Sequence, residues 1–210
     1  MSDTSPTLGS PRPRTHAEIN EYRRKAFVEG AIASLAEYGV SGTTVATICK
    51  KAGSSRGLLG HYFSTKDEVI VAALKHLFDR ISTSIKTALD RFEGTATEKL
   101  FALPEFLFAP EIFTELNRTA FLALWHETRF NPNVRKANRK LYRAYINRVE
   151  VMVETAARER GTSVNARRVA LTFVAISDGL WLELSIHDGV ITGQQAIEIS
   201  RDVLIREFGA

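Results

Sequence analysis

The sequence predicts an all-α protein. Three observations carry this expectation. Apolar residues recur at helical spacing along most of the chain, alternating strand patterns are nearly absent, and glycines stand where the periodic stretches end. A chain of 210 residues with 44% hydrophobic content is long and apolar enough for a real core.

Residues 1–16 are rich in Ser, Thr and Pro and lack apolar periodicity, which predicts a disordered arm with Arg12, Arg14 and His16 in solvent. The next stretch, 19–39, spaces Ile19, Tyr22, Phe27, Ile32 and Leu35 as one helical stripe and ends at Gly39. A short helix follows, capped by Thr43 or Thr44 and stopped by Gly53. A long one opens at Ser64, with Asp67 at capping-box spacing. Its stripe runs through Ile70, Leu74, Leu77, Phe78, Ile81, Ile85 and Leu89. Beyond Gly94, five further helices are predicted over 95–107, 111–130, 132–160, 164–187 and 193–207.

The stretch Lys50–Ile70, KKAGSSRGLLGHYFSTKDEVI, holds three glycines, each unfavourable in a helix interior by about 1 kcal/mol. A short helix between glycine-bearing turns has the form of the second element of a helix-turn-helix, which enters the major groove by its N-terminal end. Gly57 and Gly60 would then let backbone approach DNA closely. Ser55 and Arg56 would face base edges, while Tyr62 and Lys66 would reach phosphates. The alternative is an ordinary helical turn whose polar residues face water.

The residues Thr43, Thr44, Ala52, Gly53, Phe63, Lys66 and Asp67 resemble, in type and spacing, the DNA-binding region of the TetR family of bacterial transcriptional repressors. Ser54 stands where that family usually has an apolar residue, and Gly60 where it often has Tyr. The resemblance implies a DNA-binding domain over 17–65 and an effector-binding and dimerisation domain over 66–210. The expected DNA-facing residues are Thr43, Thr44, Ser54, Ser55, Arg56, Gly57, His61, Tyr62 and Lys66. The expected partners are a double-stranded operator, a second copy of the chain and a small effector.

The last two helices suit dimerisation. The stretch around 167–189 is apolar nearly all round, so it must be covered on more than one side. The expected interface comprises Leu180, Leu184, Ile197, Ser200 and Leu204, completing a four-helix contact. Further likeness lies in Trp125 at mid-helix, the Asn-Pro turn at Asn131, the basic run after it and Asp178-Gly-Leu-Trp-Leu. These features resemble the choline-responsive, BetI-type repressors of the same family. A quaternary amine needs aromatic faces and a carboxylate. The candidates are Phe121, Trp125, Phe173 and Trp181 for the faces, with Asp178, Glu127 and Glu183 for the charge. The competing expectation is an anionic or hydrophobic effector, such as an acyl thioester or aromatic acid. It draws on seven basic residues between Arg129 and Arg148, with no acid among them.

Other classes find little support. The five histidines are scattered, and no phosphate loop or nucleophile elbow occurs, so no enzyme, metal or cofactor is expected. Single Cys49 lies among apolar neighbours and reads as a small core residue, compatible with a reducing cytoplasm. No secretory signal is visible, and no stretch is expected to span a membrane. A helical adaptor without DNA binding is the remote alternative.

Overall fold

A computed structural model describes residues 15–187 and 189–208. Nine helices occur among them: α1 His16–Gly42, α2 Val45–Lys51, α3 Arg56–Tyr62, α4 Lys66–Arg91, α5 Ala96–Leu107, α6 Glu115–Phe130, α7 Pro132–Glu159, α8 Ala166–Ile186 and α9 Gly193–Glu207. Most of the expected arm, including Arg12 and Arg14, lies outside the described residues. His16 belongs to α1 instead: Thr15 caps that helix in a reciprocal box with Glu18.

Each helix start is explained locally. The N-caps are Thr, Ser or Asn throughout, and each side chain accepts a hydrogen bond from a first-turn amide. α4 is capped by Thr65, one residue later than expected, and Glu68 closes back on the Ser64 amide. α6 starts at Glu115 rather than 111, because the preceding residues form a turn that ends at the Thr114 cap.

The core of α1–α3 is built on Phe27, Ala31, Ile32 and Leu35, against Ile48, Leu59 and Phe63. The approach of α1 to α2 is close: a Cβ on Gly30 would lie 2.8 Å from the Ile48 carbonyl oxygen. Ser34 Oγ donates to Thr43 Oγ1 at 3.3 Å and Thr47 Oγ1 at 2.9 Å, and Thr43 donates to the Gly39 carbonyl at 2.7 Å. At Gly39, φ of 63° breaks the α1 geometry where the sequence places a stop, and the chain then resumes a last turn. Ile19 and Tyr22 are exposed, because α1 extends beyond the core toward its N-terminus.

Beyond this unit, α7 packs on α4, α5 and α8; α9 packs on α5 and α8; α6 packs on α1 and α7. α8 overturns the expectation about membrane-length segments. Its 21 residues, with a mean hydropathy of 1.6, meet that test by length and composition. One face of the helix is nevertheless committed to α7 and α9, with Phe173 and Val169 fully buried.

Candidate functional site

The α2–α3 turn sets out the first candidate surface. Gly53, with φ of 58°, reverses the chain between the helices. Ser55 caps α3 by accepting from the Leu58 amide at 3.2 Å, which leaves Ser55, Arg56, Gly57 and His61 exposed. A Cβ at Gly57 or Gly60 would meet nothing within 4 Å, so packing inside the chain does not demand glycine at either position. Thr44, the α2 cap, is exposed on the same unit.

Four other expected DNA-facing residues are placed differently. Thr43 is buried in the Ser34–Thr47 network and presents no free surface. Ser54 is half-buried, its amide donating to the Cys49 carbonyl at 2.9 Å. Tyr62 packs its ring 5.9 Å from that of Phe27 and donates its hydroxyl to Asn20 Oδ1 at 3.0 Å. Lys66 donates to the Thr43 carbonyl at 3.1 Å, tying the start of α4 to the end of α1. Cys49 is buried, and burial raises its thiol pKa, in keeping with a core role.

The second site is a cavity of about 70 Å³ between α4, α6, α7 and α8. That is several times the space one water requires. Six aromatic residues wall it: Phe78, Phe121, Trp125, Tyr142, Tyr145 and Trp181. Their rings touch in sequence. Trp181 lies 5.9 Å from Phe121, Phe121 5.4 Å from Phe78, and Phe78 5.5 Å from Tyr142. These contacts are edge-on, the favoured aromatic geometry. Ile81, Ile85 and Leu107 complete the apolar wall.

One carboxylate enters this enclosure. Asp178 lines the cavity, and burial pushes its pKa up to about 6 from the usual 3.8, against a hydrogen bond from Tyr142 that favours the charge. The Tyr142 hydroxyl also accepts from Trp125 Nε1 at 3.1 Å, so indole, phenol and carboxylate form one chain. Burial and the nearby Asp178 charge raise the pKa of both Tyr142 and Tyr145. Two further polar side chains on the wall, Ser177 and Trp181, have no hydrogen-bond partner among the described residues.

The cavity thus brings together Phe121, Trp125, Asp178 and Trp181 as the sequence predicts. Phe173 is not part of it: the side chain is fully buried in the core. Glu127 accepts from Asn131 at 3.0 Å and Glu183 pairs with His187 at 2.7 Å, both away from the cavity. Phe78, Tyr142 and Tyr145 were missed. Tyr142 and Tyr145 are three residues apart on α7, a shared-face spacing that the basic run around them obscures. No Lys or Arg lines the cavity. Arg135 turns instead to the end of α6, donating to the Thr128 and Arg129 carbonyls at 3.1 and 2.6 Å.

The expected dimer residues divide. Ser200 and Leu204 are fully buried within the chain, so neither offers a surface to a partner. Leu180, Leu184 and Ile197 are half-buried. A different stripe on α8 is exposed: Leu171, Ala175, Gly179, Leu182 and Ile186, with Ile199 of α9 also exposed.

Comparison with known proteins agrees with this architecture. Residues 27–73 match the family of bacterial regulatory proteins of tetR type, and residues 96–209 match the C-terminal domain of BetI-type transcriptional repressors. The HTH-type transcriptional regulator BetI of Burkholderia mallei is 24% identical over 187 residues, spanning 89% of this chain and 93% of its own length. A transcriptional regulator from Pseudomonas aeruginosa PAO1 is similar in structure with a TM-score of 0.81, 26% identity and coverage of 90% and 92% of the two chains. Another, from Saccharomonospora viridis and solved in complex with choline, has a TM-score of 0.75 at 19% identity, covering 89% and 96%. The chain belongs to the TetR family of bacterial transcriptional regulators, with a C-terminal domain of the BetI type.

Proposed function

We propose that this regulator binds a palindromic operator as a cytoplasmic homodimer and is released by a small organic cation of the quaternary-amine class. Residues 17–65 would read the DNA, and the remainder would sense the effector and dimerise. One observation carries the effector assignment: a single carboxylate, Asp178, lies in a cavity walled by six aromatic rings. Each face offers a cation about 0.5–2 kcal/mol, and the carboxylate offsets the charge taken out of water. An anionic effector would meet Asp178 with no basic side chain on the cavity wall. The choline held by the S. viridis protein is a ligand of the proposed class.

For DNA, exposed Ser55 and Arg56 at the start of α3 support groove entry, and the open space beside Gly57 and Gly60 supports close backbone approach. For dimerisation, the exposed α8 stripe repeats at intervals of four, four, three and four residues, the pattern of a helix–helix seam. A two-fold axis would set this stripe against its copy. The test is anisotropy on DNA upstream of the gene, with a choline titration. Choline should release wild type. Arg56→Ala should weaken specific binding by about 1–3 kcal/mol. Retention of the operator at millimolar quaternary amine would sink the effector assignment, and wild-type binding by the Arg56 variant would sink the DNA reading.

A further inference from the structure

Two groups on the cavity wall remain unexplained by cation binding. Ser177 and Trp181 are 1% and 6% exposed, and Ser177 Oγ and Trp181 Nε1 have no hydrogen-bond partner among the described residues. Leaving buried polar atoms unpaired is costly, so such groups need a reason. Their neighbours show that the fold can satisfy such groups. On the same helix, Thr172 donates to the Arg168 carbonyl at 3.0 Å and Ser185 to the Trp181 carbonyl at 2.6 Å, the usual resting bond of a helical hydroxyl. The cavity's other indole, Trp125, donates to Tyr142. Ser177 and Trp181 depart from both patterns, and they are four residues apart on one face of α8.

We infer that Ser177 and Trp181 read a neutral oxygen on the effector, so that the ligand is a quaternary amine bearing a hydroxyl or carbonyl close to its nitrogen. An indole N–H can only donate, and a serine hydroxyl can donate as well, so the missing partner is an acceptor. It is uncharged because Asp178, the residue next to Ser177, would repel a second carboxylate. The cation would lie toward Asp178 and the aromatic rings, and the oxygen toward the Ser177–Trp181 edge. Without that oxygen, the two donors stay buried and unpaired after the ligand closes the site, and sites of this kind discriminate sharply against the analogue that lacks it.

This specificity rests on the organic-cation reading, and calorimetry on the full chain separates the two. The probes are choline, its isostere propyltrimethylammonium, and glycine betaine. Wild type should bind choline about tenfold to a hundredfold more tightly than the isostere, and glycine betaine more weakly than choline. Ser177→Ala and Trp181→Phe should each draw the choline-to-isostere ratio toward one. Loss of packing alone would weaken both ligands together and leave the ratio unchanged. A wild-type ratio of one, with both cations bound, overturns the oxygen assignment and leaves the cation reading standing. A ratio unmoved by both substitutions also overturns it. Preference for glycine betaine overturns the requirement for a neutral oxygen. Failure of every probe to bind overturns both ideas.

Discussion

Asp178→Asn should stabilise the ligand-free protein while abolishing its response to cations. The wild-type carboxyl is raised from 3.8 to about 6 because ionising it inside an aromatic enclosure is unfavourable. Each pH unit of that rise corresponds to about 1.4 kcal/mol, so the full effect approaches 3 kcal/mol. Asp178 keeps some contact with solvent, which screens part of it, and about 1–3 kcal/mol is the expected gain. With an unfolding entropy of about 2 cal/mol/K per residue, the melting temperature should rise by about 2–7 °C. The sign follows from linkage. The folded pKa lies above the unfolded one, so the wild type loses stability as pH rises from about 4 through about 6. Asn does not titrate, so the two proteins should melt together near pH 4 and separate above about pH 6. Asn keeps an oxygen for the Tyr142 hydroxyl, so the wall chain can persist. The assay is thermal melting from pH 4 to 8, with and without choline. A variant less stable than wild type at pH 7.5, or one that choline still stabilises fully, would refute the reasoning. The same titration predicts that wild-type choline affinity falls as pH drops through about 6.

Leu182→Glu should place a charge in the exposed α8 stripe and yield a folded monomer by sedimentation, whereas Leu204→Ala should leave assembly intact and cost about 2–5 kcal/mol of stability. An undissociated Leu182 variant would move the interface elsewhere. Gly30→Ala should disrupt the α1–α2 contact, because its Cβ would lie 2.8 Å from a backbone oxygen; operator affinity should drop while choline binding survives. Asn117→Ala should weaken the effect of choline on DNA affinity more than choline binding itself, and equal effects on the two would deny Asn117 a part in coupling.

Much of the helical framework was legible because caps and apolar spacing act locally. Thr95, Asn131 and Thr192 mark helix starts in the sequence as they do in the structure. What was not legible is depth. Periodicity says which residues share a face, yet Leu182 and Leu204 sit on equally apolar stripes, and only packing against α5 and α8 puts Leu204 inside. Thr43 and Ser55 are both small hydroxyl residues at turn positions. One closes an internal network and the other stays exposed, a difference set by the approach of α1 to α2. Phe173 and Phe121 both stand on apolar helices, and only the placement of α4 and α7 decides that Phe121 meets a cavity and Phe173 does not.

The placement of α4 also bears on how occupancy of the cavity can reach the DNA-facing unit. Its first turns pack on α1, and further along it supplies Phe78, Ile81 and Ile85 to the cavity wall. Between these regions, Glu29 of α1 meets His76 at 2.7 Å and Arg80 at 3.5 Å. Arg80 in turn donates to Asn117 of α6, whose amide donates to the Ile112 carbonyl at 2.7 Å. Asn117 lies one turn before Phe121, and Arg80 lies within a turn of Phe78, so both ends of this tie adjoin the aromatic wall. A ligand shifts an equilibrium only through its unequal affinity for the two states. The relevant inequality is therefore geometric: the aromatic faces must close on the cation in one arrangement of α4 and α6 and not in the other. Because Glu29 belongs to the helix that packs Gly30 against α2, a change in that arrangement bears directly on the element that orients α3.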